Sequence, residues 1–328
     1  MDFRTLQKKT SRAAARYGML FACFLVEHLP FLLVKGLLTV MLSAAFRLTF
    51  RLKRIARESL KIAFGQEKSE EQIEQIIHDC FKTIRKGSIE LLYFSRYPER
   101  VGTLFTMEGK EHLDAALKKG KGAIMVTAHF GNFPLMMLQM AQSGYAVNVI
   151  MRRARDKKLA DVILKMMNRE KVHTIYTQPR RECVLESLRV LRNNELLFIL
   201  MDQHFGSEGG VLVDFFGQQA ATATGPIVIA NRTGAPVLPI FNVRQEGHQQ
   251  KIFIEPEMPL QECESAEEAV RVNVMALTKI IEQYIRRYPH EWGWMHKRWK
   301  KIQDDPAGVS DLFAEREAFS RVSCGKSA

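Results

Sequence analysis

No long uninterrupted hydrophobic run occurs in this sequence. The longest apolar stretch near the amino terminus, residues 36–46, has 11 residues, whereas a membrane-spanning helix needs roughly 20. Between Gly18 and Phe50 the sequence is mostly apolar, but charged residues and a proline interrupt it. We therefore predict that residues 1–50 form a helical segment that associates with a membrane, as an in-plane helix or hairpin. A pair of core helices is the alternative, and a cleaved signal peptide is disfavoured because no clear cleavage site follows.

Several common site signatures are also missing. The cysteines are scattered without a CxxC pair, at Cys23, Cys80, Cys183, Cys263 and Cys324. This spacing argues against a disulfide framework or a zinc site, so we expect reduced thiols, no metal and no cofactor. The P-loop pattern GxxxxGK[ST] is absent. No zinc-finger spacing or RNA-binding aromatic signature is present, which argues against a nucleic-acid partner.

Acidic residues are scarce at the amino terminus. The chain carries a net charge of +12, and its first 60 residues hold eleven Lys/Arg against three Asp/Glu, an excess of +8. Each basic residue near anionic lipid contributes about 1 kcal/mol to membrane binding. The charge distribution therefore favours membrane lipid as a partner.

The rest of the chain alternates apolar runs with helical patterns, and 46% of its residues are hydrophobic. Strands are predicted at 122–128, 146–150, 172–176, 196–201, 236–243 and 251–254, and helices at 58–64, 69–92, 135–140, 156–170, 181–192, 225–232 and 264–288. Such alternation predicts an α/β fold with a largely parallel central sheet flanked by helices. We divide the chain into the membrane-associating segment 1–50, a helical cap 51–97, an α/β domain 98–303 and a tail 304–328.

His129 directly follows the first predicted strand, residues 122–128. Ligands of open α/β sheets bind at the carboxyl ends of the strands, and a neutral imidazole there can act as a general base. Gly131 and Asn132 are small and polar, so we predict that they bind substrate next to His129. A structural histidine that ends a strand is the alternative.

Asp202 and Gln203 follow another hydrophobic strand, residues 196–201. They are expected at the same sheet edge as His129, where Asp202 can orient the imidazole and Gln203 can bind substrate. A loop-capping role for Asp202 is the alternative. A metal site made by His129, Asp202 and His204 is disfavoured by their spacing.

Two small-residue segments, 209–210 and 220–226, are predicted as loops. Their amides can face an oxyanion or phosphate, with Thr224 and Gly225 binding substrate where a helix begins near Pro226. Arg152 follows the second strand and is predicted to bind a phosphate or carboxylate, although a solvated surface arginine is the alternative.

The segment from Pro289 to Lys300 contains three tryptophans and five Lys/Arg/His residues. Interleaved aromatic and cationic side chains suit a membrane interface or a phosphorylated substrate. A packed anchor with a solvated basic face is the alternative.

Taken in order, these motifs resemble the bacterial lipid A biosynthesis acyltransferases, the late lauroyl/myristoyl transferases of the lysophospholipid acyltransferase-like superfamily. The similarity covers about residues 15–300 and lies in 54–64, 127–132, 201–203, 213–217, 222–226, 233–236 and 294–300. The resemblance implies an enzyme at the cytoplasmic face of the bacterial inner membrane. Such an enzyme moves a fatty acyl group from acyl carrier protein, or from coenzyme A, to a hydroxyl of an anionic glycolipid.

The family motif is His-x-x-x-x-Asp/Glu, and this chain departs from it. His129 matches the histidine, but the acidic position is Pro134. Three explanations are open: Asp202 replaces the acid, His129 works with loop amides alone, or catalysis has been lost. The alternatives to a lipid A acceptor are another glycolipid or a lysophospholipid, and a non-catalytic protein that binds lipid or acyl carrier protein.

Overall fold

The structure, a computed structural model, describes residues 3–153, 172–206 and 209–300. The helix predicted at 156–170 and the tail 304–328 lie outside the described residues. The predicted division of the chain into four parts stays a prediction.

The described strands are β1 Phe105–Glu108, β2 Ala123–Thr127, β3 Val147–Met151, β4 Val172–Tyr176, β5 Leu196–Leu200, β6 Gly210–Phe215, β7 Gln218–Ala223, β8 Val237–Arg244 and β9 Gln250–Ile254. Seven of them form a central sheet in the order β1-β9-β8-β2-β5-β3-β4, and β6 and β7 form a separate two-stranded sheet. Only β8 and β9 pair antiparallel in the central sheet, so the predicted, largely parallel arrangement is confirmed.

Helices cover both faces of the sheet. They are α1 Phe3–His28, α2 Phe31–Arg47, α3 Phe50–Phe64, α4 Glu70–Phe94, α5 Lys110–Leu117, α6 Phe133–Gln142, α7 Arg180–Arg192, α8 Gly225–Thr233 and α9 Ala266–Arg287. Strand β2 illustrates why the central strands are mostly apolar. Its Ile124 and Val126 pack into one hydrophobic cluster, and its Ala123 and Met125 pack into the other. Alternate side chains of a strand point to opposite faces, and here both faces are buried.

Some predicted elements differ from the structure. Helix α3 begins at Phe50 rather than at residue 58, and the short elements β1 and α5 were not predicted. Strand β1 has only four residues and no long apolar run, so its sequence carries little signal.

The prediction of loops at 209–210 and 220–226 is wrong for most of these residues. Gly210–Phe215 and Gln218–Ala223 form an antiparallel hairpin, β6–β7. Ala220 and Thr222 are buried while their neighbours are more exposed. This alternation in burial is expected of a half-buried strand. The turn at Phe216 and Gly217 has positive φ at both residues (57° and 72°), as a tight hairpin turn requires.

Helices at the amino terminus are present as predicted. No described helix is by itself long and apolar enough to cross a bilayer, whereas α2 and α3, which meet at a bend of 74°, pass a test of length and composition as a pair.

Candidate active site

The register of two central strands places His129 and Asp202 side by side. Strands β2 and β5 are parallel, with Thr127 opposite Leu200. His129 and Asp202 each follow two residues beyond this pair, so both leave the sheet at its carboxyl edge. The predicted convergence of the two side chains is therefore found in the structure.

Asp202 is held by three donors. Its Oδ1 lies 2.8 Å from His129 Nδ1, and its Oδ2 accepts from the His129 backbone N–H at 3.0 Å and from Trp292 Nε1 at 2.7 Å. The Asp202 side chain is fully buried, whereas 29% of the His129 side chain is exposed. The carboxylate thus serves as a fixed internal support for an imidazole that solvent and ligands can reach.

The pKa values of Asp202 and His129 are shifted in opposite directions. Burial opposes ionisation of Asp202, but the charge of His129 and the hydrogen bonds to Asp202 outweigh it and hold the pKa of Asp202 at about 2. Burial alone would lower the pKa of His129, but the charge of Asp202 and its hydrogen bond raise that pKa above its ordinary value. An ionised Asp202 therefore fixes the hydrogen on His129 Nδ1 and leaves Nε2 as the basic nitrogen.

Gln203 and His296 complete the exposed side of this pair. Gln203 Nε2 lies 3.0 Å from His129 Nε2 and 3.2 Å from His296 Nε2. The two imidazole rings are 5.1 Å apart between centroids. His296 was not predicted as a site residue.

The segment Pro289 to Lys300 packs beneath the site. Trp292 and Trp294 are fully buried, which favours the packed-anchor interpretation over a membrane interface for these two rings. Phe130 and Trp292 form an isolated β-bridge, and Gly293 N donates to His129 O at 3.0 Å. The segment therefore fixes the loop that carries His129.

Gly131 lies against the neighbouring strand. Its φ is +58°, its N–H donates to Glu291 O at 2.8 Å, and a Cβ at this position would lie 1.9 Å from Asn242 O. The Gly131 amide is thus already occupied by protein, and the residue permits a close approach between its loop and β8.

Gly131→Ala is expected to lower the free energy of unfolding by about 2–5 kcal/mol, because about 1–2 kcal/mol of left-handed strain adds to an overpacking cost of about 1–3 kcal/mol. Gly120→Ala is the matched control, since Gly120 has a φ of +68° with open space around it. Chemical denaturation of both variants measures the difference. Equal losses in the two variants would contradict the collision with Asn242.

The remaining predicted site residues are spread around this edge. The Asn132 amide is directed at α4, where it contacts Gly87 O at 3.2 Å and Glu90 Oε2 at 3.4 Å. The Thr224 hydroxyl donates to Gly209 O at 2.6 Å, and Gly225 faces open space. Arg152 is exposed and directly follows β3, at the same edge of the sheet.

A buried ion pair supports the α4 side of the site. Arg244, at the end of β8, donates to both carboxylate oxygens of Glu90 at 2.7 and 2.6 Å. Gln250 also donates to Glu90, at 3.2 Å, so Asn132 joins a network that ties α4 to the sheet. Within the described ranges, no group of three His, Cys, Asp or Glu side chains is arranged to hold a metal ion.

Comparisons with known proteins show the family of this chain. The family model for bacterial lipid A biosynthesis acyltransferase matches residues 1–301. The lipid A biosynthesis palmitoleoyltransferase of Escherichia coli strain K12 is 26% identical over 268 residues, covering 80% of this chain and 82% of the relative. The lipid A biosynthesis lauroyltransferase of the same strain is 24% identical over 295 residues, covering 88% and 92%.

A further relative is named after a different lipid. The phosphatidylinositol mannoside acyltransferase of Mycobacterium tuberculosis strain H37Rv is 27% identical over 217 residues, covering 65% of this chain and 63% of the relative. The family model nevertheless spans nearly the whole chain. This chain belongs to the bacterial lipid A biosynthesis acyltransferase family.

Proposed function

We propose that this protein transfers a fatty acyl group from a thioester donor to a hydroxyl of a lipid A-type glycolipid, with His129 as general base and Asp202 as the acid that orients it. The observation that carries the proposal is the 2.8 Å contact between His129 Nδ1 and Asp202 Oδ1, at a sheet edge where His129 remains partly exposed. The family supplies the reaction class.

The proposed reaction follows from the placement of the lone pair on His129 Nε2. This nitrogen takes the proton of the acceptor hydroxyl while the hydroxyl oxygen attacks the thioester carbonyl carbon. The tetrahedral intermediate collapses, the carbon–sulfur bond breaks, and protonated His129 returns the proton to the leaving thiolate. The Asp202 carboxylate stabilises the imidazolium that exists between these two proton transfers.

Asp202 also accounts for the unusual motif. Pro134 lies in the first turn of α6, where proline is well accommodated but cannot assist a base. A buried carboxylate from another strand end contacts His129 instead. This contact supports the first of the three explanations, in which Asp202 replaces the motif acid, and weakens the case for a non-catalytic protein.

We further propose that the enzyme resides at the cytoplasmic face of the bacterial inner membrane. Large apolar side chains on α1 and α2 and at the start of α3 are exposed, among them Leu32 (78%), Val40 (70%) and Phe50 (73%). The basic excess of the first 60 residues accompanies them. Apolar contact and attraction to anionic lipid together make a stable membrane anchor.

Donor binding is expected to weaken as salt rises. Acyl carrier proteins are acidic, and a chain of net charge +12 attracts them over a distance that salt screens. We expect the apparent KM for an acyl carrier protein thioester to rise roughly tenfold between low salt and about 0.3 M salt. A steady-state titration in detergent measures this, and a flat response would remove the electrostatic argument for this donor.

A second candidate acceptor is a different glycolipid. The similarity to a phosphatidylinositol mannoside acyltransferase is the observation in its favour. Purified protein is offered a lipid A precursor, a mannosylated phosphatidylinositol and a lysophospholipid, each with acyl carrier protein and coenzyme A thioesters, and the products are read by mass spectrometry. The proposal expects acylation of the lipid A precursor at the highest rate, and exclusive acylation of another acceptor would replace it.

A further inference from the structure

A group of basic side chains lies on α4, next to the candidate site. Residues 80–94 of this helix contain one acidic residue, Glu90, and three basic residues, Lys82, Arg85 and Lys86. Glu90 is already paired, because both of its carboxylate oxygens accept from Arg244 at 2.7 and 2.6 Å. This half of α4 therefore has an excess of positive charge.

The same part of α4 contacts the loop that carries His129. Gly87 O and Glu90 Oε2 lie 3.2 and 3.4 Å from the amide nitrogen of Asn132, which is three residues after His129. Lys86 directly precedes Gly87 in the helix, and its side chain is partly exposed. A ligand group held by Lys86 is therefore close to the loop of the proposed base.

Helix α2 adds a further cation to this group. It contains no acidic residue, and Arg85 Nη1 of α4 donates to Ser43 Oγ of α2 at 2.7 Å. Lys35 Nζ of α2 lies 3.0 Å from His248 Nε2, and His248 Nδ1 lies 3.5 Å from Glu90 Oε1. The exposed apolar side chains proposed to contact the membrane are on the same helix. The basic group thus connects the proposed membrane surface with the site.

Lys86 is surrounded mainly by like charges. Among residues 3–153, 172–206 and 209–300, none accepts a hydrogen bond from its ammonium group or forms an ion pair with it. Burial and the charges of Arg244, Lys82 and Lys35 hold the pKa of Lys86 below its ordinary value, and the opposing charge of Glu90 does not outweigh them. Such cations repel one another, and an anion bound among them is stabilised.

Two other carboxylates near these cations leave the positive excess in place. Asp79 acts on Lys82 through its charge, but its oxygens contact Gln75 at 2.9 Å and His78 at 3.2 Å. Burial raises the pKa of Glu291 to about 7, so that side chain carries only part of a negative charge at neutral pH.

We propose that Lys86, together with Lys82 and Lys35, binds a phosphate group of the glycolipid acceptor while the acceptor hydroxyl lies at His129. This proposal rests on the proposed function and assigns the headgroup contact to α4 and α2. A lysine ammonium is a compact charge with three hydrogens, which suits phosphate oxygens. The thioester donor also contains a phosphate, in its phosphopantetheine arm, so the experiment has to separate these two sources.

Lys86→Met tests the site, because it removes the charge and keeps an apolar stem of similar length. The KM for a phosphorylated lipid A precursor is expected to rise roughly tenfold, the lower end of what one charge-assisted hydrogen bond contributes. kcat should change little, since Lys86 does not touch the reacting atoms. With the same precursor after phosphatase treatment, the variant and the wild type should have equal KM values.

Two further variants make the result specific. Lys86→Arg keeps the positive charge and should retain most of the affinity for the phosphorylated precursor. Lys118→Met removes an exposed lysine directly after α5 and is the matched control, which should keep the wild-type KM. An unchanged KM in Lys86→Met would overturn the proposal, and so would a rise confined to the KM for the thioester donor.

Binding without turnover separates this proposal from the proposed function. The Kd for the phosphorylated precursor, measured in detergent without donor, should rise in Lys86→Met by the same factor as the KM. Binding by the wild type that depends on Lys86, without any acylation when donor is added, would overturn the proposed function and leave the phosphate site. Acylation by the wild type with equal Kd values in both proteins would overturn the phosphate site alone.

Discussion

His129→Ala is expected to lower the rate of acyl transfer by roughly 10²- to 10⁴-fold, the usual contribution of a positioned general base. The protein should remain folded, because Asp202 keeps two of its three donors, the backbone N–H of residue 129 and Trp292 Nε1. Product formation measured with saturating donor and acceptor gives the rate, and thermal melting reports the fold.

Two further variants make this prediction specific. His129→Gln retains an amide that can donate to Asp202 but has no basic nitrogen, so it should be as slow as the alanine variant. His78→Ala removes an exposed histidine of α4 and should keep the wild-type rate. A wild-type rate in His129→Ala would contradict the assignment of the base.

Asp202→Asn is expected to lower kcat by roughly 10²- to 10⁴-fold with little change in KM for the acceptor. The asparagine amide would donate to His129 Nδ1 and so place the imidazole hydrogen on Nε2, where the lone pair is needed. It would also remove the charge that stabilises the imidazolium. Equal losses in kcat and in acceptor binding would count against this role.

The pH profile of Asp202→Asn has a defined direction. Transfer needs neutral His129, so kcat/KM of the wild type rises with pH through the raised pKa of His129. The influences that raise this pKa are the charge and the hydrogen bond of Asp202, whereas burial lowers it. Without the carboxylate, burial prevails, and the rising limb of the profile should shift to lower pH.

Local sequence patterns predicted the core of the site because its position depends on two strands. Strands β2 and β5 are apolar apart from Thr127, and the polar residues that follow them had to reach the same sheet edge. His129 and Asp202 were found by this reasoning. Their contact at 2.8 Å then follows from the register of two parallel neighbours.

The other contacts depend on long-range packing that local patterns do not encode. Trp292 reaches Asp202 across 90 positions and Arg298 reaches Gln203 across 95. The composition of their segment left a membrane or phosphate role and a packed anchor open, because all three use aromatic and basic residues. Gly131 and Asn132 were predicted as substrate contacts, yet their polar groups bond to Glu291, Gly87 and Glu90.

The hairpin β6–β7 shows a different limit of sequence patterns. The composition of residues 220–225 is typical of a loop, because alanine, threonine and glycine all have small side chains. Pairing with β6 and burial of Ala220 and Thr222 override this local preference. The position of the hairpin matters for the site, because Arg298 donates hydrogen bonds both to this hairpin and to the Gln203 carbonyl.

The mass of a phosphorylated lipid A precursor, measured after incubation with an acyl thioester and the purified protein, shows directly whether this protein transfers an acyl group through His129. We expect the wild-type protein to add one acyl group to the precursor, and we expect His129→Ala and Asp202→Asn, assayed at equal folded concentration, to leave nearly all of it unmodified. An unchanged precursor with the wild-type protein, or equal acylation by wild type and His129→Ala, would contradict this expectation.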